Sequence, residues 1–198
     1  MGDRPFDALL VDLDGVLRRW PDMADLDLAH DLPAGTLAAT AFAPPRLRPA
    51  ITGECTDEQW RAAVAADLAA TCGPDRAAAI VADWAALPGE VDPEVADVLT
   101  VARRRMPVVL VSNATTRLEA DLARLGVDGL VDHVVSSARV GFAKPDPRIY
   151  HHAVGQTGAA PRRCLFVDDD AGNVAAARSV GMTGLLFAGP GPLREVLT

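Results

Sequence analysis

The sequence predicts an α/β protein: a doubly wound parallel sheet, interrupted near its start by an all-helical segment. Three observations predict it. From residue 93 onward, short apolar runs alternate with stretches of helical period, the pattern of β-α-β units. A first apolar run, Phe6 to Asp12, stands apart from the others, separated by an alanine-rich stretch without strand character. The 198 residues are 49% hydrophobic and 23% charged, enough to bury a substantial core and unlike a disordered chain.

In chain order, 6–12 is the first strand, and 22–31, 36–42, 56–71 and 75–87 are helices. Thr56 with Gln59 has the form of a capping box, and Pro74 suits a first helical position. Pro44, Pro45 and Pro49 bracket a basic loop holding Arg46 and Arg48. Pro88-Gly89 then punctuates the chain. A helix at 93–105 leads to a strand at 108–112, a helix at 118–125 to a strand at 133–136, and a helix at 147–157 to a strand at 164–168. A helix at 171–180 and a strand at 183–187 complete the pattern. The expected division is a core of residues 1–16 and 89–198 and a helical unit of residues 17–88.

The bulk properties exclude several roles. A net charge of −8 argues against non-specific binding to nucleic acid or an anionic membrane. Cys55, Cys72 and Cys164 have no metal-like spacing and read as free thiols of a reducing compartment. No apolar run approaches the roughly 20 residues of a membrane span, and the first residues lack the apolar segment of a signal peptide. The expected location is the cytoplasm and the expected partner a small molecule; the oligomeric state is not legible.

Ligands of such sheets bind off the carboxyl ends of the strands, where this chain places polar residues. Asp12 and Asp14 are spaced i, i+2 at the end of the first run, ahead of Gly15. Strand periodicity puts them on one side, where two like charges need a cation or a shared proton. Alone, such a pair reads first as a capped turn; the motifs that follow reverse that preference. Ser112 and Asn113 end the second strand and suit either an anion cradle or a helix cap. Lys144 precedes Pro145 and an Asp146-Pro147 helix start, so rigid neighbours hold it. Asp168, Asp169 and Asp170 follow the strand at 164–168; three acids exceed what a cap requires. Mg²⁺, completed by water and a substrate phosphate, is the natural neutraliser.

The order Asp-x-Asp-Gly-Val-Leu, apolar strand to Ser-Asn, Lys-Pro-Asp-Pro and Val-Asp-Asp-x-x-x-Asn resembles the four motifs of the haloacid dehalogenase (HAD) superfamily, from Phe6 to Phe187. The resemblance implies a Rossmann-like HAD core with a small helical cap inserted after the first strand, as in phosphoglycolate phosphatase, beta-phosphoglucomutase and sugar-phosphate phosphatases. It further implies a Mg²⁺-dependent phosphohydrolase acting on a small phosphorylated metabolite. Asp12 would be the nucleophile and Asp14 the acid and base. Ser112, Asn113 and Lys144 would hold the phosphoryl oxygens. Asp12, the Asp14 main-chain carbonyl and Asp169 would bind the metal, with Asp168 supporting it or orienting Lys144. Asn173 would stand behind these groups and Asp170 would cap a helix. Arg18 and Trp20 are the leading substrate-binding candidates, with Arg19, Phe42, Arg46 and Trp60 behind them. Trp60 and Trp84 otherwise read as core. The same motifs admit a 2-haloacid dehalogenase, a beta-phosphoglucomutase-like phosphotransferase or a catalytically silent binding module. Asp14 and the Asp168-Asp169 pair favour phosphatase chemistry over dehalogenation.

Overall fold

The fold was obtained as a computed structural model that describes residues 5–87 and 89–197. Five parallel strands form the sheet: β1 (Ala8–Val11), β4 (Val108–Ser112), β5 (His133–Ser136), β6 (Cys164–Asp168) and β7 (Thr183–Leu186), in the order β5-β4-β1-β6-β7. β1, β4 and β6 are buried throughout. Both faces are covered, so these strands are continuously apolar rather than alternating.

Alternate residues nonetheless pack to opposite faces. Leu9, Val11, Leu110 and Leu165 join a cluster with Val95 and Leu99 of α6 (Pro93–Arg103), Leu118 and Leu122 of α7 (Leu118–Leu125) and Leu193 of α11 (Pro190–Val196). Ala8, Leu10, Val109 and Phe166 face Ile149 and Tyr150 of α9 (Pro147–Gly155) and Ala177 of α10 (Ala171–Ser179). Helices on both faces make the sheet doubly wound. Strand order changes direction at β1, whose end lies between those of β4 and β6. That crevice is where an open α/β sheet binds its ligand.

The helical segment contains α1 (Met23–Ala29), α2 (Thr36–Ala41), α3 (Pro44–Ile51), α4 (Asp57–Cys72) and α5 (Pro74–Ala86). It has its own apolar cluster, built on Leu37, Trp60, Val64, Leu68, Ile80 and Trp84. The Thr56–Gln59 capping box is present, and Pro74 opens α5. Asp27 is fully buried there, but its carboxylate accepts from the Gly35 and Leu37 amides at 2.8 and 2.9 Å, tying α1 to α2.

Three details correct the sequence reading. The basic loop is helix α3: Pro44 and Pro45 occupy its first turn, where a missing N–H costs nothing. The segment starting at residue 17 was expected to hold no strand, yet β2 (Arg18–Arg19) pairs antiparallel with β3 (Glu90–Val91). Two-residue strands leave no periodic trace; only their non-local pairing defines them. The short α8 (Ser137–Val140) and α11 had no predicted counterpart. Pro88, half of the expected punctuation, lies outside the described residues. No helix among the described residues is long and apolar enough to cross a membrane.

Candidate active site

β1 delivers Asp12 to the crevice. Its amide donates to the Val167 carbonyl at 2.9 Å, so the residue stays in register with β6 just beyond the last strand position. Its carboxylate accepts from the Leu13 amide and lies 2.7 Å from Lys144 Nζ. Lys144 Nζ is equally 2.7 Å from Asp168 Oδ2, and this ammonium is almost wholly buried. Asp168 also accepts from the Asp170 amide and the Asn173 side-chain amide, which hold its carboxylate against Lys144. Asn173 is fixed in turn through its carbonyl, which accepts from Tyr150 Oη at 2.9 Å. Asp170 caps α10, as its position suggested.

Asp169 completes the cluster. Its carboxylate sits against Gly15, where a Cβ would fall 2.0 Å from Asp169 Oδ2. Gly15 also has φ of +79°, so the turn after Asp14 excludes a side chain on two grounds. Asp12, Asp168 and Asp169 each offer one oxygen, all within 4.8 Å of one another. Burial pushes Asp12 up to about 7, and Asp168 adds to the rise while Lys144 opposes it. Partial burial and Asp168 also raise Asp169. Three carboxylates around one ammonium leave excess negative charge on hard oxygen donors. That donor set fits a divalent cation such as Mg²⁺.

Ser112 ends β4 with a buried Oγ that has no hydrogen-bond partner among the described residues. Buried hydroxyls are nearly always satisfied, so an orphan beside a charged cluster marks where a ligand oxygen belongs. Asn113 behaves differently from a phosphate ligand. Its side chain donates to the Lys144 carbonyl at 2.9 Å and accepts from the Lys144 amide at 2.7 Å. The amide is a two-point clamp on the backbone that presents Lys144, which leaves one Nδ2 hydrogen and the Asn113 main chain for an anion. The Lys144-Pro145 peptide is cis.

Asp14 stands apart from the other acids. β1 ends at Val11, so strand alternation does not carry through to residue 14. Its carboxylate receives Arg18 Nε at 2.7 Å, Arg18 Nη2 at 3.0 Å and Trp20 Nε1 at 2.6 Å. Arg18 is buried, stacks 4.3 Å over the Trp20 ring and reaches Asp121 at 3.4 Å. Thus Arg18 and Trp20 lie next to the site, held there by Asp14. Of the other candidates, Phe42 and Trp60 line the cavity described below, whereas Arg19 pairs with Asp92 and Arg46 with Asp67 on α4.

Sequence reasoning missed the groups joining the helical segment to the core. The Asp57 amide donates to Thr116 Oγ1, and the Asp57 carboxylate accepts from Thr115 Oγ1 and Arg61 Nε. Arg117 donates to the Ala85 carbonyl. Asp57 looks like an ordinary acid in the first turn of a helix; nothing local points to partners 58 and 59 residues away.

The architecture is that of an α/β hydrolytic enzyme core with a helical insertion over its strand ends. A HAD family enzyme of Bacteroides thetaiotaomicron, solved with magnesium and inorganic phosphate, superposes with a TM-score of 0.70, covering 91% of this chain and 93% of that one at 19% identity. Phosphatase MT3486 of Mycobacterium tuberculosis is 37% identical over 106 residues, 52% of this chain and 49% of that protein. Haloacid dehalogenase-like hydrolase domain-containing protein 3 of Bos taurus is 37% identical over 92 residues, 46% and 37% of the two chains. The matches thus span half or less of these two curated relatives. The sequence pattern of the haloacid dehalogenase-like hydrolases matches residues 6–181, and the chain belongs to that family.

Proposed function

We propose that the chain is a Mg²⁺-dependent phosphohydrolase of small phosphomonoesters, with residues 17–88 acting as a cap over a core of residues 1–16 and 89–198. The observation that carries this reading is the buried Asp12, held by Lys144 within a three-carboxylate cluster, at the end of the strand next to the one that ends in the unpartnered Ser112 hydroxyl. The name of the Mycobacterium tuberculosis relative, a phosphatase, supports it.

In this reading Asp12 attacks phosphorus, the ester P–O bond breaks, and an aspartyl-phosphate forms. Lys144 offsets part of the burial that raises Asp12, favouring its ionised form, and, with Ser112 and the Asn113 main chain, holds the phosphoryl oxygens. Asp14 gives its proton to the leaving alcohol oxygen, then takes one from the water that hydrolyses the aspartyl ester. To do so its carboxylate exchanges at least part of the Arg18 and Trp20 bonding for the substrate. Asp12, the Asp14 main-chain carbonyl and Asp169 would hold Mg²⁺, supported by Asp168; the ion supplies charge neutralisation and orientation of the phosphoryl group.

A mutase needs cations free to hold a second phosphate. Of the candidates Arg18, Arg19, Arg46 and Arg48, the first three are each engaged by an aspartate and Arg48 is exposed outside the cavity lining, which favours hydrolysis. The test is phosphate release from a panel of phosphomonoesters with and without Mg²⁺, beside Asp12→Asn. Metal-dependent turnover lost in Asp12→Asn is the expected result. Halide release from 2-chloropropionate without phosphate release would replace this reading with dehalogenation.

A further inference from the structure

Between the helical segment and the strand ends lies a cavity of about 470 Å³, within the usual range for a small-molecule site. Its lining includes Asp14 and Asn113, the neighbours of the candidate nucleophile and of Ser112, so an ester bound at Asp12 would extend its alcohol portion here. Four of the walls are aromatic: Trp20, Phe42, Trp60 and Trp84. Phe42, Trp60 and Trp84 form one cluster, with ring centroids 5.0 to 6.4 Å apart. Met23 and Leu118 extend the apolar surface. Phe42 is 45% exposed and Trp20 41%, an apolar surface left open in a chain whose other aromatic rings are buried or packed.

Most polar groups of the same cavity are engaged with one another; Arg61 Nη1 is a buried donor without a partner among the described residues. Asp14 is taken by Arg18 and Trp20, and Asp121 by Arg18 and Arg117. Asp57 is taken by Arg61 and Thr115, Arg61 stacks 4.2 Å over Trp84, and Asn113 clamps Lys144. A sugar or glycerol portion would lose its water here and find few unengaged partners beyond Arg61 Nη1 for its several hydroxyls, and each one left unpaired would count against binding. A flat apolar group would instead displace water from aromatic walls.

We propose that this cavity seats an apolar, ring-bearing alcohol portion of the phosphate ester rather than a polyol. The proposal rests on the phosphohydrolase reading and names the substrate class of that same site. Hydrolysis then releases inorganic phosphate and an apolar alcohol, which leaves with the proton supplied by Asp14.

Steady-state phosphate release with 2-phenylethyl phosphate, glycerol 3-phosphate and glucose 6-phosphate tests it, because their leaving alcohols are all aliphatic. Acetyl phosphate, which needs no cavity, serves as the control for the chemistry. The expected kcat/KM favours 2-phenylethyl phosphate by about 100-fold, from burial of one ring. Phe42→Gln should cut that ratio about tenfold through loss of apolar contact. Leu28→Gln, an exposed position of α1 outside the cavity, should leave it unchanged. Equal or better turnover of the polyol esters, alongside turnover of acetyl phosphate, would overturn the proposal and leave the phosphohydrolase reading standing. If no ester is hydrolysed, the phosphohydrolase reading fails and calorimetry decides the cavity. Tighter binding of 2-phenylethyl phosphate than of glycerol 3-phosphate, with a negative heat-capacity change, supports it; equal affinity overturns it.

Discussion

The sheet edge and the helical segment both bury aspartates, and they treat them in opposite ways. In the helical segment each buried acid is matched. Asp27 has two backbone amides of its own, and Asp57 has Arg61 with the Thr115 hydroxyl. At the strand ends Asp12 and Asp168 share one lysine, Asp169 lies against them without an ion pair among the described residues, and the charge does not balance. A structural acid is satisfied by its own fold, whereas an acid set left in deficit is waiting for something the chain does not contain. On the proposed reading the helical segment is scaffold and cover, and the strand ends are where chemistry happens.

The contrast can be broken most directly at Lys144. Lys144→Met removes the cation that lies between Asp12 and Asp168. Stability in chelator should fall by about 4 kcal/mol in urea titrations, as for a buried ion pair broken on one side. Phosphate release should be lost, and added Mg²⁺ should recover part of the stability but not the activity. Asp57→Ala is the matching experiment in the helical segment. It strips Arg61 of its charge partner and unties α4 from the loop after β4, for an expected loss of about 3 kcal/mol. Because that acid is balanced, Mg²⁺ should not rescue the variant.

Gly15→Ala sharpens the comparison from the side of geometry. The new Cβ meets Asp169 and the backbone is left-handed there, so about 2 kcal/mol of stability should go and Mg²⁺ affinity with it. Tm and a Mg²⁺ titration read both effects. The smallest change is Trp20→Phe, which keeps the ring under Arg18 and deletes the indole N–H on Asp14. About 1 kcal/mol of interaction is at stake, so kcat should change by no more than about tenfold, with stability held.

Much of the sheet edge was legible in the sequence, for a physical reason. Apolar strands followed by polar residues point to the crevice by topology alone, and the Asp146-Pro147 and Asp170 helix starts are local devices that the chain spells out. What was not legible depends on distant partners. The Arg18–Arg19 ribbon exists only against Glu90–Val91, and Asp57 acquires its meaning from Thr115 and Thr116. Asn113 was read as a phosphoryl contact or a helix cap; the backbone of Lys144, 31 residues on, engages its side chain. Asp14 was placed beside Asp12 by strand alternation, but β1 stops at Val11 and Arg18 takes the carboxylate. The aromatic positions were readable as core, and Trp60 and Trp84 are core; that they also wall a cavity required the packing of α4 and α5.

The central claim is that the sheet edge carries a charge deficit closed by a divalent cation. Thermal melting of the wild type and Asp169→Asn, in chelator and with Mg²⁺, tests it without any assumption about substrate. With Mg²⁺ at about 100 times its Kd, the wild type should gain about 2.7 kcal/mol and melt several degrees higher, while Asp169→Asn should gain almost nothing. In chelator Asp169→Asn should melt at or above the wild type, because one of three crowded carboxylates is gone. A wild-type Tm indifferent to Mg²⁺, or an equal rise in both proteins, would contradict the account.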